Sequence, residues 1–244
     1  MAIAISLLTS GIEPTTNPST TDAVNPTAGS VTYLFIAYAV EGGGTAINSD
    51  TVTPTGARGT WTQDEKIADD TDGSGRRGST LWIGTGTVTN EAITITATMT
   101  GTWTETAWIV VEVTGADGTT PNDTPQKVSN TGTSATLPSL GTAGASDAVL
   151  WAVHHEEGDE SVTATGWTAV GAVVGTNASN DIRTLHGFYD LTSPDVTPAT
   201  DTFTSSVYGA IGFIINVGAA GGTINTITLQ DLDSAATTDG SPIQ

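Results

Sequence analysis

Hydrophobic positions along the chain follow the spacings of β-strands. Residues 31–40 form a nearly continuous apolar run, which is typical of a central strand buried on both faces. Residues 92–99 alternate instead, with an apolar side chain at every second position from Ile93 to Met99, as in a strand with one buried face. No long stretch has the apolar spacing of an amphipathic helix. The sequence therefore predicts a nearly all-β protein, and its abundant Thr and its 29 Gly suit strands and turns.

The order of these strand-like segments occurs twice along the chain. Trp61 and Trp167 mark the correspondence, because they lie in the similar contexts Gly-Thr-Trp-Thr and Gly-Trp-Thr. Four strands per half, eight in all, are what one jelly-roll-like double sheet needs. We predict a jelly-roll-like antiparallel β-sandwich of two pseudo-repeated four-strand halves, about residues 31–115 and 147–218. The predicted strands are 31–40, 80–84, 92–99 and 104–114, then 147–154, 162–174, 183–190, 201–206 and 208–217.

Three further segments complete this predicted domain, which spans 1–218. Residues 1–8 alternate like a strand at Ile3, Ile5 and Leu7. The Thr-, Pro-, Asn- and Ser-rich residues 9–30 predict a surface connection, and the polar residues 115–135 predict the hinge between the halves.

A polar C-terminal extension, 219–244, follows a Gly-Ala-Ala-Gly-Gly joint at 218–222. It contains one short strand-like piece at Ile224, Ile227 and Leu229. This piece and the N-terminal strand at Ile3, Ile5 and Leu7 are the predicted assembly contacts, because each can add a strand to the sheet edge of a neighbour.

The charge balance excludes several classes of partner. The chain has 26 acidic and 6 basic residues and a formal net charge of −20. Such a surface repels nucleic-acid phosphates and anionic membranes, so we predict neither partner. Two interpretations of the charge stay open: it keeps a Thr- and Gly-rich surface soluble, or it is an adaptation to salty water.

Targeting signals and cysteine chemistry give little further direction. The chain has no Cys, which excludes disulfides and thiolate metal sites. The N-terminal run lacks a basic region and is too short for a signal peptide, and no apolar run has the length of a membrane span. We expect synthesis in a host cytoplasm, with a carrier such as a virion if the chain reaches the outside.

Candidate metal ligands occur in two places, and neither pattern is complete. His154-His155-Glu156-Glu157 ends a strand, where only alternate residues share a face, so a solvated strand end is the favoured interpretation. His186 is a third ligand only by an unsupported guess. Asp70, Asp72 and Ser74 have the spacing of the start of a calcium loop, but the closing Glu is missing. A polar hairpin tip is favoured there, and Asp117-Gly118 likewise predicts a turn. No metal or other cofactor is predicted.

The sequence contains no recognisable catalytic constellation. It lacks a Gly-x-Ser-x-Gly elbow and Cys, and it has only three His. A glycosidase-like carboxylate pair stays possible but has no motif. Trp82, Trp108 and Trp151 lie in apolar runs and are predicted core residues, whereas Trp61, Trp103 and Trp167 lie near strand ends. We predict no enzymatic activity. An exposed row of the last three Trp would instead favour sugar binding.

Several segments together resemble a family of β-sandwich proteins of tailed bacteriophages and some bacterial surface proteins. They are the initial Met-Ala-Ile-Ala, an apolar strand after a Pro-, Ala- and Gly-containing lead-in, Gly-Trp-Thr, Leu-x-x-Phe-Tyr, and a strand ending in Val-Thr-Gly-Ala-Asp-Gly followed by Pro121. The resemblance covers about 1–218, and its motifs are structural. It implies a virion building block of capsid or tail and carries over no catalytic residues. The tail after Gly218 and the acidic loop at 68–75 depart from the family pattern.

These observations predict a non-enzymatic structural protein on the outer surface of a tailed-phage virion. It is expected to be a capsid decoration or tail-associated protein, present in multiple copies or as a homo-oligomer, that contacts capsid or tail subunits. The alternative is an extracellular carbohydrate-binding or adhesive β-sandwich. The strong negative charge fits an outer surface better than one facing DNA.

Overall fold

The computed structural model describes residues 2–14, 16–41, 50–69, 75–99, 101–136, 138–155, 166–174, 184–191 and 201–218. Thirteen strands and no helix are present in these ranges. The all-β prediction is confirmed. The strands are β1 Ala4–Pro14, β2 Ser19–Val24, β3 Val31–Glu41, β4 Thr51–Thr55, β5 Arg58–Asp69, β6 Gly75–Val88, β7 Glu91–Thr98, β8 Thr102–Thr114, β9 Gln126–Ala135, β10 Ala148–His155, β11 Thr168–Val174, β12 Thr184–Asp190 and β13 Asp201–Ile215.

The strands form three antiparallel sheets. The central sheet has the order β1-β8-β3-β6-β5, the second sheet β11-β12-β10-β13-β9, and the small sheet β2-β7-β4. The first two form a sandwich, and the small sheet covers the other face of the central sheet. The number of strands differs from the prediction of four per half, because each larger sheet has five and a third sheet is present.

Strand β3 explains this layering. Its odd-numbered residues, among them Tyr33 and Phe35, face the second sheet and pack with Phe213 of β13. Its even-numbered residues, among them Leu34 and Ile36, face the small sheet. Ten of its eleven positions are buried, as the continuous apolar run predicts. Strand β7 of the small sheet has one buried face, in agreement with its alternation.

The two larger sheets share one order of connections. In chain order, β1, β3, β5, β6 and β8 of the central sheet correspond to β9, β10, β11, β12 and β13 of the second sheet, and corresponding strands have corresponding neighbours. Corresponding edge strands lie at opposite ends of the sandwich. Strand β1 lies beside β11, the counterpart of β5, and β5 lies beside β9, the counterpart of β1. The sandwich therefore has two open sides, each made of one edge strand from each sheet.

Some predicted connections are strands in the structure. Residues 9–30 contain the rest of β1 and all of β2, so the prediction of a surface connection is wrong there. The predicted hinge at 115–135 contains β9, which pairs with β13. Strand β13 also runs without interruption through the two strands predicted between 201 and 217. No helix of the described part is long and apolar enough to cross a membrane.

Candidate functional site

The two open sides of the sandwich differ in chemistry. We call them the β1/β11 edge, made of β1 and β11, and the β5/β9 edge, made of β5 and β9. Each of the four strands ends its sheet and has a neighbour on one side only. An edge strand presents backbone N–H and C=O groups that another strand can pair with. These edges are therefore places where the sandwich can accept a further strand, in addition to β2 and β4 at the ends of the small sheet.

The β1/β11 edge carries no charge over most of its length. Residues 4–12 and 168–174 contain no Asp, Glu, Lys or Arg, in a chain with a net charge of −20. Glu13 follows on β1, where its carboxylate accepts a hydrogen bond from the backbone N–H of Thr20 at 3.1 Å. A strand that approaches along this edge meets no charge from these two stretches, and carboxylates of the described part lie at the two ends, Asp147 beside Ile3 and Glu13 on β1.

The predicted contacts of the N-terminal strand lie on this edge, at different depths. Ile3 is buried and Ile5 is half-buried, and both pack against the core between the larger sheets. Leu7 has 43% of its surface exposed. In the described ranges, Leu7 and Leu191 are the two large apolar residues that are exposed. It lies against β11, since a Cβ added to Gly171 would be 3.0 Å from its Cδ1 atom. Leu7 is thus the residue of this set that is available to a neighbour.

The β5/β9 edge holds both lysines of the chain. Lys66 of β5 donates to the backbone carbonyl of Asp50, and burial lowers its pKa while the charge of Asp50 opposes that shift. Lys127 of β9 donates to the carboxylate of Glu65 and to the backbone carbonyl of Lys66, each at 2.8 Å. One side chain therefore joins the edges of two sheets and satisfies a carbonyl of β5.

A groove of about 550 Å³ lies beside these lysines, between β5 and β9. Asp64, in its lining, accepts a hydrogen bond from the Asn122 side chain at 2.8 Å. Burial raises the pKa of this carboxyl group, the bond from Asn122 lowers it, and the nearby charge of Glu65 raises it further. The register of β5 also shifts between Gln63 and Glu65. Charges, a bulge and a side chain bonded to the backbone are devices that discourage strand addition.

The sequence pattern did not predict this lysine pair as a site. Strands β6, β7 and β8 separate Lys66 from Lys127 along the chain. The two lysines are close because the β5 edge of the central sheet lies beside the β9 edge of the second sheet. The sequence feature that could have drawn attention to these residues is the scarcity of lysine, because the chain has two lysines among its 6 basic residues.

The three histidines are buried, which corrects the prediction of a solvated strand end. His154 and His155 have 1% and 0% of their surface exposed, and His186 has 5%. The ladder of β10 continues to His155, which lies opposite Thr184 on one side and Tyr208 on the other.

The histidines divide between the two faces of the second sheet. His154 faces the central sheet and borders a small cavity with Ser79. His155 and His186 share the outer face, where Val153 lies opposite His186. Burial, and secondly the charge of His155, lower the pKa of His186 to about 4. No group of three His, Cys, Asp or Glu in the described ranges can hold a metal, and Glu156 and Glu157 lie outside those ranges.

The tryptophans do not form an exposed row. Trp82, Trp108 and Trp151 are buried, as predicted. Trp103 is also buried and stacks on Tyr38, with ring centroids 5.8 Å apart. Trp61 packs against the core under the small sheet, whereas Trp167 packs on the outer face of the second sheet. The two half-buried rings therefore lie on opposite sides of the central sandwich.

The remaining candidate residues are a turn and two segments outside the described part. The Asp117 carboxylate accepts hydrogen bonds from the backbone N–H groups of Thr119 and Thr120, which lower its pKa and confirm the predicted turn. The acidic residues Asp70 and Asp72 lie outside the described ranges. The same holds for the tail contacts Ile224, Ile227 and Leu229, which stay predictions.

Comparison with known proteins gives no relative from which to infer function. No protein-family model, no curated protein and no solved structure matches the chain.

Proposed function

We propose that this protein is a non-enzymatic structural component of a tailed-phage virion, exposed on the outer surface as a capsid decoration or tail-associated protein. It acts by contact with capsid or tail subunits and with other copies of itself. The observation that carries the proposal is the β1/β11 edge, an open sheet edge with no charge in residues 4–12 and 168–174 and with Leu7 exposed, in a strongly acidic chain.

The physical basis of this function is binding to an assembled state. A protein that binds the assembled particle and not its separated subunits stabilises the particle by mass action. Like charges on identical acidic subunits repel one another, so the charged surface does not supply the affinity. Strand addition at an uncharged edge supplies main-chain hydrogen bonds without bringing further charges together.

The alternative of a carbohydrate-binding sandwich depended on a shared face for Trp61, Trp103 and Trp167. The burial of Trp103 and the separation of the other two rings leave that alternative without its platform.

Deletion of residues 219–244 tests the proposal in particles that carry this chain. We expect the truncated protein to fold, with an unchanged β-sheet circular dichroism spectrum, and to be missing from purified particles. The matched control is a full-length chain with Thr62→Ser, at an exposed position of the β5/β9 edge, which should incorporate normally. Incorporation of the truncated chain at the level of the full-length chain would overturn the proposal for the tail.

A further inference from the structure

We propose that the β1/β11 edge is the docking site for residues 223–230 of a second copy of this chain. The inference rests on the proposed contact function and names the partner and the surface. The edge has an open strand, no charge between residues 4 and 12, and one exposed large apolar side chain, Leu7. An incoming strand covers Leu7 and pairs with the free side of β1.

The sequence of the proposed occupant matches this edge. Residues 219–230 contain no charged side chain, and the first acidic residues of the tail are Asp231 and Asp233. Ile227 and Leu229 alternate, so both side chains fall on one face of an extended strand. That face can pack on Leu7, while the acidic residues stay beyond the uncharged part of the edge.

The described domain ends beside the start of β1. The backbone N–H of Gly218 donates to the carbonyl of Gly115 at 2.8 Å. Gly115 in turn touches the N-terminus, since a Cβ added to it would be 2.3 Å from the carbonyl oxygen of Ala2. The segment 219–244 therefore leaves the domain at the N-terminal end of the β1/β11 edge.

This exit point favours a second copy over the same chain. A tail that turned back along its own β1 would run in the same direction as β1 and form a parallel pair. Every pairing between the described strands is antiparallel. The tail of another copy is free to approach β1 from the opposite end and pair antiparallel, which is slightly more stable per residue.

The opposite side of the sandwich is a poor acceptor for the same segment. On the β5/β9 edge, Lys127 already donates to the backbone carbonyl of Lys66 and to Glu65, and the register of β5 is broken by a bulge at Asp64. Of the two open sides of the sandwich, the β1/β11 edge is therefore the better acceptor for the tail of a second copy.

The test uses full-length protein and sedimentation velocity over a range of concentrations. The edge variant Leu7→Lys places a charge where the strand would dock, and it lowers the net negative charge, so a loss of association cannot come from added repulsion. The tail variant Ile227→Asn with Leu229→Asn removes the apolar face without changing the charge. Thr62→Lys puts the same charge on the opposite edge, at an exposed position, as the matched control.

We expect the unaltered chain and Thr62→Lys to self-associate equally. We expect the edge and tail variants each to weaken association about tenfold or more, as for the loss of a central contact. A mixture of the two variants supplies one intact edge and one intact tail, so it should form heterodimers that neither variant forms as homodimers. A peptide of residues 219–230 should dissociate the unaltered oligomer, which keeps the test valid if Leu7→Lys fails to fold.

A monomeric unaltered chain at every concentration would overturn the inference. So would full association of the tail variant, or a mixture of variants that stays monomeric, which is the result expected if the tail docks on its own chain. Particle incorporation is measured separately: variants that lose self-association yet enter particles normally would support this contact and show that incorporation does not depend on it, whereas absence of the unaltered chain from purified particles would refute the proposed function and leave this contact standing.

Discussion

The ammonium group of Lys127 on β9 lies 2.8 Å from the carboxylate of Glu65 on β5, so that one ion pair joins the edges of the two larger sheets. About half of the Lys127 side-chain surface is exposed, which places this pair near the surface. Solvent and salt screen such a pair, and its net contribution to stability is small. The pair therefore protects an edge more than it stabilises the fold.

The first prediction concerns this pair. Lys127→Met keeps the apolar stem of the side chain and removes the ammonium group. We expect a loss of about 0.2–1 kcal/mol in the free energy of unfolding, measured with urea at low salt, and a smaller loss at high salt.

Glu65→Gln and the double variant complete a double-mutant cycle for the pair. The double variant should lose less stability than the two single variants added together, and this difference should decrease in size with salt. A loss above about 3 kcal/mol on removal of Lys127 would contradict the assignment of the pair as a screened surface contact.

The second prediction concerns Trp151, which is fully buried on the outer face of the second sheet. Its ring lies 5.0 Å from that of Phe188 and meets Trp167 edge-on at 5.9 Å. Trp151→Ala should cost about 3–5 kcal/mol in urea unfolding, because a large cavity replaces the ring. The half-buried Trp61 is the control, and Trp61→Ala should cost clearly less. Equal losses at the two positions would refute the difference in burial.

The strands that sequence predicts well are those at the centre of the larger sheets. The run at 31–40 and the strands around Trp108 and Trp151 are apolar on both faces, because each central strand has a layer on either side or a chain segment over it. Hydrophobic pattern therefore locates them without knowledge of the fold.

The edge strand β9 is not detected by the same pattern. Strand β9 is mostly polar and largely exposed, and it has a neighbour on one side only. Its place in the sheet depends on hydrogen bonding to β13, which leaves no apolar periodicity to detect. This is why residues 126–135 looked like part of a hinge.

The candidate sites show the same limit. His155 follows an apolar run, and sequence alone gives no sign that the ladder continues past it with Thr184 and Tyr208 on its two sides. The contact of Lys127 with Glu65 depends on how the two sheets face each other. In both places, burial and proximity follow from long-range pairing rather than from local pattern.

The third prediction concerns the close approach of β13 to a buried histidine. A Cβ added to Gly209 would lie 2.4 Å from Cε1 of His154, whose ring is buried between the larger sheets. Gly209→Ala should therefore cost about 1–3 kcal/mol in thermal or urea unfolding, as expected for overpacking.

Gly132 on the neighbouring strand β9 provides the matched control. A Cβ there would be 3.8 Å from the Tyr208 ring, an ordinary contact. Gly132→Ala should be neutral or stabilising by up to about 1 kcal/mol, because Ala loses less backbone entropy on folding. Equal destabilisation at both positions would show that space around Gly209 is not the cause.

The fourth prediction is a loss of stability in mild acid that depends on His186. Burial, together with the charge of His155, lowers its pKa to about 4 in the folded chain, whereas an unfolded histidine has a pKa of about 6.5. Between these two values the unfolded chain binds a proton that the folded chain does not. The free energy of unfolding therefore falls as pH falls from about 6.5 to about 4, by on the order of 2–3 kcal/mol, and this contribution is constant below that window.

His186→Leu has a similar volume and does not titrate, so it isolates this contribution. Urea unfolding of both proteins at steps between pH 7 and pH 4 gives a difference curve in which the carboxylates common to the two chains cancel. We expect the variant to gain stability relative to the unaltered protein as the pH is lowered through the window. Leu at this position binds no proton in the unfolded chain, so the variant lacks the loss of stability that protonation of unfolded His186 causes. Parallel curves would mean that His186 is charged or solvated in the folded chain, which its 5% exposure on the face shared with His155 argues against.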